Sequence, residues 1–515
     1  MRSPQQRIRR NQVSRTLTVP APVDGINARD ALAEMKPTDA IRLDNLYCTP
    51  NDVFLRNGYS KYATGMSGMI NTLASYSPPT GTPRLFAAVG ANIYDASAGG
   101  VVGAAVVSGR TSDKWQHTNF GTAGGNFLIL VNGADKLQGY SGSAWWRDGD
   151  GTHDITGVDS AKLIHVCAHK SRLWFVEKDS LSVWYLAALS IGGAATEIDF
   201  SGLFGLGGYL VAMGSWSLDS GTGIDDYAAF ITSEGQVAIY SGSDPASTST
   251  WSLVGVFDLA APIGRRCVMK LGGDLAIICR DGLAPLSKTL LTLVSGTDKL
   301  TDKVRSLVQG YTTDYGSLFG WETQLFPAQN MLLLNIPTSP TQSVQLVQNL
   351  LHGAWSRFVG WDAACFELHQ GSLYFGGSGY VGKAWHTQSD NGSNINFEAQ
   401  QAFSRFAPGA QQCKVQMVRA LISTDGSPGL SIGVNANYDT SSPTSIPSFT
   451  PASAGVWDTA KWDEATWGSD PAIKTDWQTC FAIGHSLAAH ILGACSGIRV
   501  RWAATDYLVE QGGVV

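Results

Sequence analysis

The chain has 515 residues, enough for two to four ordinary domains or for one large repeat architecture with an appendage. Hydrophobic residues make up 44% of it and charged residues only 15%, so a sizeable core is expected and a largely disordered chain is excluded. A formal net charge of −6 provides no global basic field for holding nucleic acid. The 58 glycines and 16 tryptophans favour short strands joined by tight turns over a helical protein.

Five arginines crowd the first fifteen residues, namely Arg2, Arg7, Arg9, Arg10 and Arg15. A solvated terminus explains such a cluster, and so does an assembly arm that orders against a partner subunit or a phosphate backbone. Polar sequence follows the arginines where a signal peptide would need an apolar stretch, and no apolar run is long enough to span a membrane. We therefore expect a protein that is made in a cytoplasm.

Eight cysteines are scattered through the chain without a CxxC pair or the spacing of a metal finger. In a chain of this length the pattern is typical of small buried side chains in a reducing compartment. The sequence accordingly predicts neither a disulfide framework nor a bound metal.

A repeated pattern runs from about residue 65 to residue 390: a short apolar strand, a turn, and a second strand that ends in an aromatic residue. Its seven copies are marked by Arg84, Asn126, Arg172, Tyr227, Gly273, Asn330 and Gly371. Intervals of about 40 to 60 residues are typical of β-propeller blades, which bury their faces only against neighbouring blades. The pattern predicts an all-β protein with a propeller of about six to eight blades, the alternative being the hairpins of a large β-sandwich.

Several tryptophans follow the turns of this repeat. In "YSGSAWW" (140–146) and "YSGSDPASTSTW" (240–251) a strand ends at a tyrosine, Ser-Gly-Ser forms the turn, and tryptophan opens the next strand. "HGAWSRFVGW" (352–361) shows the same order, with Arg357 expected at a solvent or subunit face. We interpret five tryptophans as packing residues between blades: Trp145, Trp146, Trp251, Trp355 and Trp361.

The propeller is predicted to span 61–394, after an N-terminal arm and wrapping segment of 1–60. Residues 297–311 interrupt the strand pattern, because Leu300, Val304, Leu307 and Val308 have the spacing of a short helix. After about Ile395, alternating stretches separated by Pro- and Ser-rich loops predict a smaller C-terminal β-domain, 395–515.

One aromatic cluster suggests carbohydrate chemistry. Trp457, Trp462 and Trp467 recur every five residues, with Asp458 and Asp463 beside the first two. Tryptophan faces with paired carboxylates are typical of glycan binding and glycoside hydrolysis. However, five-residue steps share a face on neither a strand nor a regular helix, which favours a packed loop over a glycan site.

Other site signals are weak. "DGDGTHD" (148–154) lacks the residue order of an EF-hand loop, so a polar turn between blades is the favoured interpretation over a calcium site. His165 and His169 lie in a predicted strand and are read as core or edge histidines. No nucleophile elbow, Walker loop or dinucleotide fingerprint is present, and the sequence predicts no catalytic residue and no cofactor.

Several patches resemble the tail nozzle, or tail tubular protein B, of short-tailed bacteriophages. They comprise Gly25-Ile26-Asn27, "MKPTDAIRLDN" through Asn45, Arg56-Asn57-Gly58-Tyr59, "LFPAQNMLLLNIP" (325–337), the segment 349–385 and the ending "DYLVEQGG". The resemblance implies a structural virion protein with a β-propeller and no catalytic residues. It further implies a homo-hexameric ring below the portal and adaptor, a channel for double-stranded DNA, and fibre, spike or needle proteins at the tip. A glycan-binding or glycan-degrading tail propeller is the alternative, and a cellular propeller scaffold is a third hypothesis.

Trp355 supplies a first testable prediction. If its ring is fully buried, Trp355→Ala should lower the free energy of unfolding by roughly 3–5 kcal/mol, because the lost contacts leave a cavity. Denaturant unfolding of the two proteins measures the difference. A stable variant with only a binding defect would contradict a packing role.

Overall fold

The computed structural model describes residues 14–219, 224–247, 249–287, 300–407, 411–445 and 472–514. The chain divides into two compact units. We call Tyr59–Leu351 with Phe358–His386 the propeller unit, and Met1–Gly58 with His352–Arg357 and Thr387–Val515 the terminal unit. The first and third of the three segments expected from the sequence thus belong largely to one compact unit.

The first half of the described chain contains β1 (Arg15–Pro20), β2 (Gly25–Ile26), β3 (Asp39–Asp44), β4 (Leu46–Cys48), β5 (Val53–Leu55), β6 (Gly58–Met69), β7 (Thr72–Tyr76), β8 (Arg84–Val89), β9 (Asn92–Asp95), β10 (Gly100–Val101), β11 (Gln116–Thr122), β12 (Gly125–Val131), β13 (Gln138–Tyr140), β14 (Trp145–Arg147), β15 (Ile155–Thr156), β16 (Leu163–His169), β17 (Arg172–Glu177), β18 (Ser182–Tyr185), β19 (Gly193–Ala194), β20 (Thr196–Asp199), β21 (Leu210–Asp219), β22 (Ile224–Thr232), β23 (Gln236–Gly242) and β24 (Trp251–Asp258). The second half contains β25 (Val268–Leu271), β26 (Asp274–Cys279), β27 (Gly282–Pro285), α1 (Arg305–Tyr315), β28 (Glu322–Phe326), β29 (Met331–Ser339), β30 (Gln342–Asn349), β31 (Trp355–Val359), β32 (Cys365–His369), β33 (Ser372–Gly376), β34 (Ser378–Thr387), β35 (Ile395–Gln401), β36 (Gln411–Thr424), β37 (Gly429–Ala436), β38 (Ala472–Lys474), β39 (Gln478–Gly484), β40 (Leu487–Cys495) and β41 (Val500–Val514). Short 3-10 turns cover Ser160–Lys162, Asp302–Val304 and Pro327–Gln329.

Within the described residues the propeller unit contains seven blades and a separate two-stranded sheet of β15 and β19. In chain order the first six blades are β7-β8-β9, β11-β12-β13-β14, β16-β17-β18-β20, β21-β22-β23-β24, β25-β26-β27 and β28-β29-β30. The seventh blade joins β32, β33 and β34 to β6, with β10 beside β6. The protein is therefore an all-β propeller, and its described blades number seven.

The ring closes through its first strands. Each first strand contacts that of the next blade, in the cycle β7, β11, β16, β21, β25, β28, β32 and back to β7. The last blade is completed by β6, which precedes all the other blade strands in the sequence. The two ends of the propeller segment therefore meet in one sheet and close the ring.

Apolar side chains fill the spaces between adjacent blades. One cluster joins blades 1 and 2, a second blades 2 and 3, a third blades 3 and 4, and a fourth blades 7 and 1. Trp174, which is 1% exposed, stacks at 5.5 Å on Trp251 of the next blade. At these four junctions the faces of the blades are buried against their neighbours, as the sequence repeat predicts.

All seven repeat markers lie in, or directly before, the second strand of a blade. Arg84 and Arg172 begin β8 and β17, while Asn126 and Tyr227 lie within β12 and β22. The remaining markers, Gly273, Asn330 and Gly371, come directly before β26, β29 and β33. Each marker thus identifies the second strand of one blade.

Residues 297–299 of the helix expected over 297–311 lie outside the described residues, and from residue 300 onward the α-helix starts at Arg305. Helix α1 spans Arg305–Tyr315, and Val304 and Val308 are fully buried. In the part of the chain that the structure describes, no helix has the length and apolarity that crossing a bilayer needs.

The terminal unit is a pair of facing sheets. One has the order β38-β36-β41-β5-β4, with β1 along β41 and β39 along β36. The other places β2 and β3 beside residues 355–357 of β31 and continues through β35 and β40 to β37. Residues 14–58, expected to form an arm and a wrapping segment, therefore supply strands to both sheets.

Tyr507 links the two sheets of the terminal unit. Its hydroxyl on β41 accepts a hydrogen bond from the Ala489 N–H on β40 at 2.9 Å. The same hydroxyl donates to Gln401 Oε1 on β35 at 3.1 Å. Burial raises the pKa of the Tyr507 phenol far above its ordinary value, so this hydroxyl keeps the proton that it donates.

Candidate functional site in the propeller channel

Arg266 lies at the channel end where the first strands begin, two residues before β25. Its Nη1 donates to Glu322 Oε2 at 2.9 Å, which joins blade 5 to the first residue of blade 6. Its Nη2 lies within 2.9 Å of the Asn71 carbonyl, 2.8 Å of Thr72 Oγ1 and 3.1 Å of the Trp115 carbonyl. One guanidinium therefore connects the starts of blades 1, 2, 5 and 6.

Glu322 completes this connection. Its Oε1 accepts a short hydrogen bond from the Phe366 N–H on the first strand of blade 7. Burial raises the pKa of the Glu322 carboxyl, and the charge of Arg266 opposes that shift. The side chains of Arg266 and Glu322 are 12% and 9% exposed, so their attraction is only weakly screened by water.

A cavity of about 210 Å³ lies beside this ion pair. Its lining comes from the first strands and their approaches: Leu73, Trp115, Gln116, His117, His165, Arg265, Arg266, Val268, Glu322, Thr323, Gln324, Phe366 and Glu367. His117 Nε2 and Glu367 Oε2 are 3.3 Å apart across blades 2 and 7. The channel at this level is a small polar chamber with charged walls.

Two histidines join neighbouring blades at the far ends of first strands. His169 Nδ1 lies 2.9 Å from Ser215 Oγ on β21, and His369 Nδ1 lies 2.9 Å from Ser75 Oγ on β7. Both end a first strand, and each is followed by a two-residue turn and a strand with leucine as its second residue. The repeat pattern of the sequence contained this signal, because each histidine stands the same number of residues before the second strand of its blade.

Burial shifts the titration of the channel histidines. It is the largest cause that lowers the pKa of His165 and of His169 to about 4, and it also lowers the pKa of His369. His165 Nε2 lies 2.9 Å from the Met213 carbonyl, which can only accept, so Nε2 carries the proton. His165 and His169 are core histidines of the first strands and are neutral at pH 7.

Four of the five tryptophans interpreted as packing residues lie between blades. Trp145 meets Phe86 of blade 1 edge-on at 4.8 Å, and Trp146 belongs to the cluster between blades 2 and 3. Trp251 stacks on blade 3 as described above. Trp361 is fully buried, and its carbonyl accepts from Ser343 Oγ of blade 6 while its ring stacks on a phenylalanine of blade 7.

Trp355 differs from the other four tryptophans. It is 1% exposed but lies in the terminal unit, where it pairs with Gly25 of β2. Gly25 has a φ of +75°, and a Cβ there would come within 2.5 Å of the Trp355 carbonyl oxygen. The inter-blade interpretation of Trp355 is therefore corrected, because Trp355 belongs to the terminal unit. There β2 approaches its backbone too closely for residue 25 to carry a side chain.

Arg357 is also placed differently from the expectation of a solvent or subunit face. Its Nε and Nη2 each donate to Asp44 on β3 at 2.6 Å, and its carbonyl accepts from the Asn45 N–H at 2.8 Å. Asn45 Oδ1 accepts from Arg56 Nε at 2.8 Å. The Arg56 side chain is fully buried and forms a two-pronged ion pair with Asp390.

A second polar chain leads from Asp44 in the terminal unit. Arg42 bridges Asp44 and Glu398 at 3.1 Å and 2.9 Å, and Glu398 Oε1 lies 2.8 Å from the buried His490 Nε2. Burial lowers the pKa of His490, although Glu398 opposes the shift. These contacts connect strands from both ends of the sequence.

The predicted N-terminal arginine cluster and the predicted 457–467 cluster lie almost entirely outside the described residues. Arg15 begins β1 and is exposed, whereas Arg2, Arg7, Arg9 and Arg10 lie outside the described residues. Trp457, Trp462, Trp467, Asp458 and Asp463 also lie outside them, so the glycan hypothesis keeps its sequence basis alone.

The 148–154 turn is held by its own backbone. Asp148 accepts from the Ile155 N–H and from Ser160 Oγ, and Asp154 accepts from the amides of Gly149 and Gly151. These carboxylates satisfy a polar turn. Among the residues that the structure describes, no group of three or more His, Cys, Asp or Glu side chains is arranged to hold a metal ion.

Comparison with known proteins gives likeness of fold only. No family model and no curated protein matches the sequence. Among solved structures, BBS1N in complex with ARL6DN matches with 11% identity and a TM-score of 0.40, covering 65% of this chain and 99% of that one. Raptor from Chaetomium thermophilum (12%, TM-score 0.35, 67% and 28%) and Sqt1 from Saccharomyces cerevisiae (12%, TM-score 0.34, 68% and 86%) also match. At such low identity and TM-scores these matches carry no argument about function.

The Arg266–Glu322 pair generates a stability prediction. Arg266→Met should lower the free energy of unfolding by about 3–5 kcal/mol, because it leaves a buried carboxylate without its cation. Adding Glu322→Gln should restore part of the loss, since the amide oxygen still accepts from the Phe366 N–H. A double-mutant cycle in denaturant measures the coupling between Arg266 and Glu322.

The matched control is Arg84→Met, which breaks an exposed pair with Asp95 and should lower the free energy of unfolding by no more than about 1 kcal/mol. Equal losses in Arg266→Met and the control would contradict the proposed link between blades.

The buried histidines generate a pH prediction. Because the folded-state pKa values of His165 and His169 lie near 4 and the unfolded values near 6.5, the unfolded chain binds more protons between these pH values. Their contribution to stability is complete above about pH 6.5 and is lost as the pH falls toward 4. Each histidine contributes at most about 1.4 kcal/mol per pH unit.

Thermal melts from pH 7 to pH 4 test this expectation. His169→Asn places an amide near the Nδ1 position, cannot titrate, and should reduce the slope of stability against pH. The exposed His386→Asn is the control and should leave the slope as it is. An unchanged slope in His169→Asn would exclude His169 as a source of acid lability.

Proposed function

We propose that this chain is a structural subunit of the tail nozzle of a short-tailed bacteriophage. It would assemble into a ring, expected to contain six copies, below the portal and adaptor, and would guide and gate DNA on its way out. It would act by subunit packing and not as an enzyme. One observation carries the proposal: residues from separate patches of the resemblance contact one another in the terminal unit.

Patches far apart in the sequence meet there. Gly25 from the first patch pairs with Trp355 from a late patch, and Asp44 from the second patch binds Arg357. Arg56, from a third patch, donates to Asn45. Residues that carry the resemblance therefore contact one another, which is the expected result if the patches record one shared structural unit.

The dimensions of the propeller channel support a conduit between subunits. The first strands of neighbouring blades contact one another around the ring, and the space beside Arg266 and Glu322 is a cavity of only about 210 Å³. A DNA duplex cannot pass through a single propeller of this kind. A passage for DNA would have to be enclosed by several copies of the chain, which agrees with a ring.

The charge of the chain suits such a passage. With 36 basic and 42 acidic residues the formal net charge is −6. A mildly anionic wall does not hold passing phosphates, because retention of DNA depends on the release of counter-ions by clustered lysines and arginines. The local exception is the N-terminal arginine cluster, which we assign to assembly with the adaptor, the portal or a second copy.

Measurements on the full chain and on phage particles test the proposal. Native mass spectrometry should show a ring of about six copies, alone or with the adaptor, and purified virions should contain the protein in the tail. A strictly monomeric protein that is absent from virions would refute the proposal.

A matched pair of variants sharpens the test. Asp44→Ala removes the partner of Arg357 in the terminal unit, whereas Asp95→Ala removes an exposed partner of Arg84 in the propeller unit. If the terminal unit serves tail assembly, the Asp44→Ala protein should not be incorporated into phage particles, whereas the Asp95→Ala protein should be. Circular dichroism of both variants separates failure to assemble from failure to fold, and normal incorporation of both would count against a role of this network in assembly.

A further inference from the structure

Arg265 is a half-buried cation beside the channel cavity. Its Nη1 donates to the Asn132 carbonyl of blade 2 at 3.0 Å, and burial lowers the pKa of its guanidinium. Within the described residues no carboxylate oxygen comes within 4.0 Å of it, and Asp179 and Tyr209 influence it only from farther away. A half-buried charge without a counter-ion has lost part of its hydration, so an anion bound here would stabilise the folded protein.

The other charged side chains of the cavity lining have partners in the fold. Glu322 is neutralised by Arg266 and accepts the Phe366 N–H, while Glu367 faces His117 at 3.3 Å. Among the described residues, Arg265 is the cation of the cavity lining that has no acidic partner. The cavity therefore offers one guanidinium for a negatively charged group.

Two further polar atoms of the lining lack hydrogen-bond partners: His165 Nδ1 and Thr323 Oγ1. Because His165 Nε2 carries the proton, its Nδ1 presents a lone pair and requires a donor. A hydroxyl such as that of Thr323 can either donate or accept. The site therefore suits a ligand that has anionic oxygens and also one O–H group.

We propose that this end of the propeller channel binds a protonated tetrahedral oxyanion, hydrogen phosphate, between Arg265, His165 and Thr323. Its anionic oxygens accept from the Arg265 guanidinium, whose planar fork matches them, and its O–H donates to His165 Nδ1. A cavity of about 210 Å³ has room for such an ion and several waters. The proposal is independent of the tail function, because it concerns a site within one propeller.

Comparing phosphate with sulfate separates the contribution of the Arg265 guanidinium from that of His165 Nδ1. Both are tetrahedral oxyanions, but at pH 7 only phosphate carries a proton to donate. Calorimetric titration of the full chain should therefore show phosphate binding at least about tenfold more tightly than sulfate, with sodium chloride at equal ionic strength as the blank. Glycerol phosphate is the third probe: binding like phosphate points to a phosphate monoester as the source, and binding of phosphate alone points to the free ion.

Three variants assign the contacts. Arg265→Gln should weaken phosphate binding at least about tenfold, because it removes the cation. His165→Gln retains an amide donor for the Met213 carbonyl but lacks the Nδ1 lone pair, so it should abolish the preference for phosphate over sulfate. Arg280→Gln, an exposed arginine outside this cavity, is the matched control and should bind as the unchanged protein does.

Several results would overturn the proposal. Line width in phosphorus-31 spectra of the unchanged protein reports binding without any variant, so absence of broadening would refute the site even if Arg265→Gln failed to fold. Equal affinities for phosphate and sulfate would refute the role of His165. Undiminished phosphate binding by a folded Arg265→Gln would refute the role of Arg265.

Discussion

A propeller blade is a small sheet that cannot bury its faces alone, so the stability of every blade depends on closure of the ring. In this protein closure has two parts. At the edge, β6 from the start of the propeller segment completes the blade formed by its end. At the centre, Arg266 and Glu322 join the starts of the first strands across the channel. Both contacts join residues that are distant in sequence, which makes the propeller a cooperative structure and not a chain of independent repeats.

The same constraint applies in the terminal unit, where strands from the two ends of the chain pair with one another. β1 and β5 pair with β41, and β3 pairs with β35, so neither terminal segment forms this unit without the other. Ion pairs join distant segments at this meeting point, with the buried Arg56 held by Asp390 and the partly buried Arg357 held by Asp44. Such pairs add modest net stability but are strongly destabilising when one partner is missing, so they select one arrangement of the strands.

Histidines illustrate how position decides chemistry. His169 and His369 occupy equivalent ends of first strands and lie against serines of the following blade. His165 lies four residues earlier on the same strand as His169, and it lines the channel cavity. Burial suppresses protonation of these rings, which fits a structural role for the first two and a neutral acceptor role for the third.

The sequence by itself determined the repeat. Gly- and Ser-rich turns and alternating apolar residues are local properties, and for that reason each of the seven markers identifies a second strand and the tryptophans at Trp145, Trp146, Trp251 and Trp361 lie between blades. It also located a helix near Val304 and Val308, although not its start. The tertiary structure decided how the ring closes, where the N-terminal strands pair, and which unit contains Trp355. It also decided which charges meet, because an ion pair such as Asp44 with Arg357, or a cavity lined from six first strands, depends on distances in space that no local pattern of residues encodes.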